Sequence, residues 1–134
     1  MNEIKSIQLL KPIELFLNTY GSFGQGDYDK LWLFDNKGNK VEWSVPRNLS
    51  AYKGAKIAIK SRRILGLQGI IEINDSRKNL HRKAIITHLP SWVKRAIIVR
   101  DSRSAKNRYV KHYEYNLESG ELREIEWIEE MEVD

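Results

Sequence analysis

The sequence predicts an α+β fold, built as a mostly antiparallel sheet with one or two helices. Three observations lead to this prediction. Apolar and polar residues alternate with a period of two in most segments, as they do in half-buried strands. Turn-forming clusters at Asn36–Asn39 and Glu118–Gly120 separate such segments and predict two hairpins. One segment, 76–88, has apolar residues at helical spacing. A partly open, five-stranded barrel of the OB type is one form of this fold.

The first half of the chain is predicted to consist of strands. Residues 55–60 are the clearest example, because Ile57 and Ile59 point to one face while Lys56 and Lys60 point to the other. Trp32 and Trp43 lie in hairpin strands and are expected in the core. The predicted strands cover 3–10, 13–19, 30–35, 40–45, 55–60 and 67–73, with Pro12 between the first two and a glycine-rich loop at 21–26.

The main helix is predicted over 76–88. Asp75 or Ser76 can cap it by accepting hydrogen bonds from the free amides of its first turn. Leu80, Ala84 and Ile85 would form its apolar stripe. The rest of the chain is predicted as a buried strand over 96–100, a loop over 101–107 and hairpin strands over 108–116 and 121–128. We expect a single domain over 1–128 and a short acidic tail over 129–134.

Composition excludes several classes of protein. Cysteine is absent, which excludes disulfide frameworks, thiolate zinc sites and cysteine catalysis, and fits a reducing compartment. No apolar run reaches the roughly 18 residues of a membrane span, and the first residues do not form a signal peptide. We therefore expect a cytoplasmic protein, or one in the host cytoplasm if it is virus-encoded. The high content of Ile, Lys, Arg and Glu is thermophile-like.

Catalytic constellations are not evident in the sequence. There are three histidines, His81, His88 and His112. His81 and His88 are seven residues apart without a nearby carboxylate, which makes a poor metal site, and no catalytic triad or pair of carboxylates stands out. We therefore predict that the protein is not an enzyme and that it uses no metal and no cofactor. A small metal-dependent nuclease is the least favoured alternative.

Charge is distributed unevenly along the chain. Residues 1–52 carry six basic and six acidic residues, residues 53–112 carry sixteen basic and three acidic, and residues 113–134 carry one basic and nine acidic. A nucleic-acid backbone is a linear array of negative charge, and bound Lys and Arg side chains release its counterions. The central segment therefore predicts contact with nucleic acid, because ordinary surfaces mix the two signs of charge.

Aromatic residues alternate with bases in the central segment. As a strand, residues 108–116 place Tyr109, Lys111, Tyr113 and Tyr115 on one face, where bases can stack on rings while lysine reaches the backbone. Tyr115 is nearest the acidic end and is the least suited to such contact. The predicted nucleic-acid-binding residues are Lys56, Lys60, Arg62, Arg63, Arg77, Lys78, Arg82, Trp92, Arg95, Arg103, Lys106, Arg108, Tyr109, Lys111 and Tyr113.

A basic core with aromatic residues, followed by an acidic end, resembles the organisation of single-stranded DNA-binding proteins. The resemblance is one of layout and covers residues 53–134. It implies an OB-fold that holds the strand and a tail that recruits a protein partner. We found no motif of that family in the sequence.

These observations predict a protein that binds single-stranded DNA or RNA with low sequence specificity. A groove of Lys and Arg would neutralise phosphates, and aromatic rings would stack on bases. Two alternatives remain open: a protein that binds the backbone of duplex DNA or RNA through the helix at 76–88, and a protein-interaction module driven by its opposed charges. A protein partner bound through the acidic end and a homodimer are also expected, whereas a membrane is not.

Overall fold

The computed structural model describes residues 6–20, 25–49, 53–75 and 79–128, and within these ranges it contains nine strands and no helix. The antiparallel sheet is confirmed. The predicted α+β class is wrong, and so is the five-stranded OB-like barrel, because the described strands form one open nine-stranded sheet. They are β1 (Ser6–Tyr20), β2 (Gly26–Phe34), β3 (Lys40–Ser44), β4 (Lys56–Ala58), β5 (Gln68–Asp75), β6 (Asn79–Pro90), β7 (Arg95–Arg103), β8 (Arg108–Tyr115) and β9 (Leu122–Ile125).

The sheet forks at β2. Its order is β4-β5-β6-β1-β2-β7-β8-β9, and β3 also pairs with β2. The start of β2 pairs with β1 and its later part with β3, while β7 pairs along its whole length. Asp29 lies at the fork, fully buried, and its carboxylate accepts a hydrogen bond from the Phe16 amide at 2.9 Å. The carboxylate thus satisfies a backbone N–H near the point where β1 separates from β2.

The main core receives residues from both branches of the fork. Leu15 of β1 and Ile86 of β6 come from one branch, and Leu31 of β2 and Ile98 of β7 come from the other; none is more than 1% exposed. The Tyr115 hydroxyl donates a hydrogen bond to the backbone carbonyl of Lys11, which ties β8 to β1. Burial raises the pKa of Tyr115, and this effect is larger than that of the hydrogen bond, which lowers the pKa.

β1 is one long strand rather than the two that were predicted. Its pairing with β6 shifts register between Gln8 and Ile13, and Pro12 lies in this irregular stretch. Proline has no N–H to donate to a ladder, so an irregularity of this kind accommodates it without ending the strand. The interruption predicted at Pro12 is therefore a local distortion within β1.

From Asn79 onward, the segment predicted as the main helix forms β6 instead. Arg82, Ala84 and Ile86 are buried, and they alternate with the half-buried Lys83 and Ile85. This is the period of a strand, but the buried arginine interrupts its apolar face. Because a charged residue stands at an inward position, the alternation is hidden and the helical stripe through Ala84 and Ile85 looks stronger than it is.

A second apolar cluster covers the opposite face of β2 and β7. Trp32, Ile97 and Val99 are buried there, and Ile125 and Trp127 pack over them. The Trp127 ring lies 5.3 Å from that of Trp32. The strand predicted over 121–128 is therefore shorter, and the chain after β9 acts as a cover for this face. Trp32 is buried as predicted, and Trp43 packs partly buried against the main core. The predicted tail, 129–134, lies outside the described residues.

Candidate nucleic-acid interface

Four strands meet in one row at one end of the sheet. Thr19 of β1 pairs with Gly26 of β2, Gly26 pairs with Arg103 of β7, and Arg103 pairs with Arg108 of β8. Gly26 has a φ of 122°, and a Cβ at this position would lie 1.8 Å from the Asn18 carbonyl oxygen, so only glycine permits this close approach. We call the charged residues around this row the basic end; they are Lys30, Arg47, Arg103, Lys106 and Arg108, with Asp27 and Asp101.

A cavity of about 150 Å³ lies at the basic end. The cations Lys30, Arg47, Arg103 and Arg108 line it, together with two acids, Asp27 and Asp101. Among the described lining residues, four positive and two negative groups give a formal charge of +2. The Ser102 hydroxyl donates a hydrogen bond to Asp27 at 2.6 Å.

Asp101 holds two of the arginines in place. Its carboxylate accepts hydrogen bonds from Arg108 at 3.0 and 3.2 Å and from Arg103 at 3.4 and 3.5 Å. Burial alone would raise the pKa of Asp101, but hydrogen bonds from Arg108 and Arg103 and their positive charges outweigh burial, so the pKa lies below its ordinary value. Asp101 therefore remains charged and keeps both guanidinium groups beside the cavity.

Arg47 and Lys30 converge on the ring of Tyr28. The guanidinium carbon of Arg47 lies 4.4 Å from the ring centroid and the Lys30 ammonium lies 5.9 Å from it. The Tyr28 hydroxyl donates a hydrogen bond to Ser44 at 2.7 Å, which fixes the ring. Within the described residues, no acid forms an ion pair with Arg47 or Lys30. Their charges are therefore free to meet an anion.

Arg82, predicted to contact nucleic acid, has a structural role instead. Its side chain is buried and its guanidinium donates hydrogen bonds to the backbone carbonyls of Pro46, Arg47 and Leu49. These bonds hold the segment after β3 against β6. Arg82 thereby positions the backbone that carries Arg47, but it is not available to a ligand.

The strand face predicted for β8 is confirmed, although its residues differ in environment. Tyr109 is 50% exposed, and the Lys111 ammonium lies 5.4 Å from its ring centroid. Tyr113 packs against the core and lies 5.7 Å from the guanidinium carbon of Arg100, and Tyr115 is buried. Lys111 also lines a groove with Glu124 and Glu126. Among these tyrosines, only Tyr109 offers a ring to a base.

The other predicted residues that the structure describes do not join the basic end. Lys56 forms an ion pair with Glu72 at 3.7 Å on the edge of the sheet. Lys60, Arg62 and Arg63 are exposed near the opposite end, where β5 begins. Trp92 packs partly buried against the core in the turn between β6 and β7. Arg77 and Lys78 lie outside the described residues.

Arg95 belongs to a second group of charges at the opposite end, which we call the neutral end. A groove of about 750 Å³ there is lined by three cations and three acids, namely Lys94, Arg95, Arg123, Glu114, Glu118 and Glu121. Glu114 accepts hydrogen bonds from Arg95 at 2.7 Å and from Arg123 at 3.4 Å. The hydrogen bond from Arg95 contributes most to holding the pKa of Glu114 below its ordinary value, and burial opposes it.

Sequence reasoning missed Arg47 and Lys30. Both lie in the part of the chain whose net charge is zero, so the charge count gave no reason to select them. No local pattern marks Arg47, because its role depends on Tyr28 and Arg82, which are distant in sequence. Arg103, Lys106 and Arg108 were found, since their own stretch of sequence is strongly basic.

In the described part of the chain, no three His, Cys, Asp or Glu side chains lie close enough to hold a metal ion. Comparison with protein-family models, with curated proteins and with solved structures finds no match for this chain. The described residues also contain no helix long and apolar enough to cross a membrane.

Proposed function

We propose that this protein binds nucleic acid through the basic end, favours single strands and reads little sequence. The observation that supports this most directly is the set of cations without an acidic partner. Arg47, Lys30 and Lys106 form no ion pair within the described residues, and two of them converge on the cavity beside Arg103 and Arg108. Such charges favour a polyanion, because binding releases its condensed counterions.

Single-strand preference depends on Tyr109. Its exposed ring, next to Lys111 on the same strand face, suits an unpaired base stacked over tyrosine with its phosphate near a cation. Such stacking accepts any base, which implies low specificity. Tyr113 and Trp92 add little to this mechanism, since their rings pack against the core.

Duplex binding is a second candidate, supported by the shape of the β7–β8 hairpin. Residues 103–111 are all exposed, so both strands present their cations to solvent at the hairpin end. A two-stranded ribbon fits the major groove of B-DNA. The binding mode that used a helix at 76–88 is discarded, because this segment contributes β6 to the sheet.

The proposed function implies a compartment that contains nucleic acid, and we place the protein in the cytoplasm. A protein partner bound by the acidic residues after Trp127, and a homodimer, remain part of the proposal. The protein-interaction module is the competing interpretation. It predicts a salt-sensitive oligomer that has no affinity for nucleic acid.

The experiment is a fluorescence anisotropy titration with matched single-stranded and duplex oligonucleotides at several salt concentrations. We expect tighter binding to the single strand and a steep salt dependence. Tyr109→Ala should weaken single-strand binding about 5- to 150-fold, since stacking is worth about 1–3 kcal/mol per base. Tyr109→Phe, which keeps the ring, is the control. Equal losses for both variants would argue against stacking, tighter duplex binding would support the ribbon, and no binding at low salt would overturn the proposal.

A further inference from the structure

The size of the cavity at the basic end limits what it can enclose. Pockets that enclose drug-sized ligands measure roughly 300–1,000 Å³, whereas this cavity measures about 150 Å³. A water molecule occupies about 30 Å³ of the liquid. The cavity therefore has room for a phosphate group with a few waters, and because it is partly open the rest of a strand would lie outside it.

The charge of the cavity distinguishes between two kinds of phosphate. An internal phosphodiester carries a single negative charge. A phosphate monoester carries about −1.5 to −2 at neutral pH. The four cations and two acids that line it in the described part of the chain have a formal charge of +2, which matches the monoester.

The arrangement of the cations also suits a phosphate with three terminal oxygens. Arg103 and Arg108 use Nε and Nη2 to bond Asp101, so each Nη1 remains for another acceptor. Arg47 and Lys30 approach from the side of Tyr28, where no described acid pairs with them. Donors from β2, from the residues after β3 and from the β7–β8 hairpin therefore meet at one small space, as a terminal phosphate requires.

From size, charge and geometry together, we propose that this cavity binds the terminal phosphate of a nucleic-acid strand, so that the protein prefers phosphorylated ends. This inference rests on the proposed function and adds the class of ligand. Arg108 and Tyr109 are neighbours in β8 and point to opposite faces, so a strand that starts in the cavity would have to cross the exposed end of the hairpin near Lys106 to reach Tyr109. Either a 5′- or a 3′-phosphate supplies the required chemistry.

The test compares four single-stranded oligonucleotides of one sequence, each with an internal fluorophore: a 5′-phosphate, a 3′-phosphate, two hydroxyl ends, and a covalent circle. We expect one phosphorylated form to bind roughly tenfold tighter than the hydroxyl form and the circle, because a charge-assisted hydrogen bond is worth about that factor. Equal affinity for all four would overturn the phosphate site and leave the proposed function standing. No binding of any form would instead overturn the proposed function.

Variants of the protein test whether the preference for phosphorylated ends arises at the cavity. Arg47→Gln should reduce the affinity ratio of phosphorylated to circular strand to about one, and Arg47→Lys should retain part of the preference. Arg62→Gln is the matched control, because Arg62 is an exposed cation near the opposite end. The ratio is informative even if overall affinity falls, and thermal unfolding checks that each variant is folded. A preference that survives Arg47→Gln would remove the cavity from the proposal.

Discussion

At both the basic end and the neutral end, one acid holds two arginines, but the two ends differ in the other charges around that group. At the basic end, Asp101 holds Arg103 and Arg108. At the neutral end, Glu114 holds Arg95 and Arg123. The first acid is buried in a place where further cations have no acidic partner, whereas the second lies in a groove whose charges balance. Under the proposed function, two arginines held by one acid are not enough for an anion site, and the additional cations without an acidic partner make the difference.

Arg100 marks the boundary of the basic end. It bonds Asp29 through Nε and Nη2, both at 2.9 Å, and this hydrogen bond raises its pKa most strongly, with burial opposing it. Arg100→Met leaves a fully buried carboxylate without its cation, so we expect a loss of about 3–5 kcal/mol in the free energy of unfolding, measured with urea. The conservative variant Arg100→Lys should lose less. A stable Arg100→Met protein with a flatter salt dependence of binding would instead make Arg100 part of the basic end.

The two arginine pairs provide the most direct test of the comparison. Replacing both Arg103 and Arg108 with Gln should weaken single-strand binding about 10- to 100-fold, because phosphate contacts are lost and Asp101 is left to repel the backbone. The slope of log K against log salt should fall by about 0.7 if both arginines hold one terminal phosphate, and by about 1.4 if they hold two phosphates of a single strand.

The matched control replaces Arg95 and Arg123 with Gln. The change in net charge is the same, but the cations removed belong to a balanced groove. We expect less than a threefold change in affinity and an unchanged salt slope. Equal losses from the two double variants would show that only total charge matters and would remove the distinction between the two ends.

The neutral end can also be converted toward the basic end. Replacing Glu118 and Glu121 with Gln leaves three cations and one acid in the groove, a formal charge of +2. We expect less than a threefold gain in affinity for a single strand, because Arg95 and Arg123 stay bonded to Glu114 and exposed charges are screened by salt. A tenfold gain in the same anisotropy assay would show that charge suffices without the convergent cations.

Hairpins were predictable because their turns have local signatures. Gly38 and Gly120 adopt φ values of 84° and 75°, which glycine adopts without strain, and both hairpins form where the turns predicted them. β6 was not predictable in the same way. Three carbonyls from residues 46–49 accept hydrogen bonds from the buried Arg82, and a contact between distant segments leaves no trace in local periodicity.

The residues of the candidate site also fall into two groups, those that local sequence predicts and those that depend on contacts between distant segments. Arg103, Lys106 and Arg108 were predicted, since neighbours in sequence are also neighbours in the hairpin. The contributions of Arg47 and Lys30 depend on the fork of the sheet, which brings a segment of zero net charge to the basic one. Alternation along a strand shows which face a residue occupies, and this predicts stacking for Tyr113. It does not show how much of that face the core covers, and Tyr113 packs against the core.

The pH dependence of stability should also distinguish Asp101 from Glu114, with a smaller effect than the substitutions above. Both carboxyls have a folded-state pKa below the ordinary value, so their contribution to stability is present above the unfolded-state pKa and is lost as pH falls through the folded one. Asp101→Asn and Glu114→Gln should each cost about 0.5–1 kcal/mol at pH 7 and approach no cost near pH 2.

We expect the larger pH-dependent difference for Asp101, because its side chain is 11% exposed and that of Glu114 is 26% exposed. Solvent therefore screens Asp101 less from its two arginines. Thermal unfolding of the wild type and both variants at pH 2, 3, 4, 5 and 7 gives the measurement. A larger dependence for Glu114 would mean that the arginines of the neutral end are the more firmly held pair. The basic end would then owe its fixed geometry to Tyr28 and Arg82 rather than to Asp101.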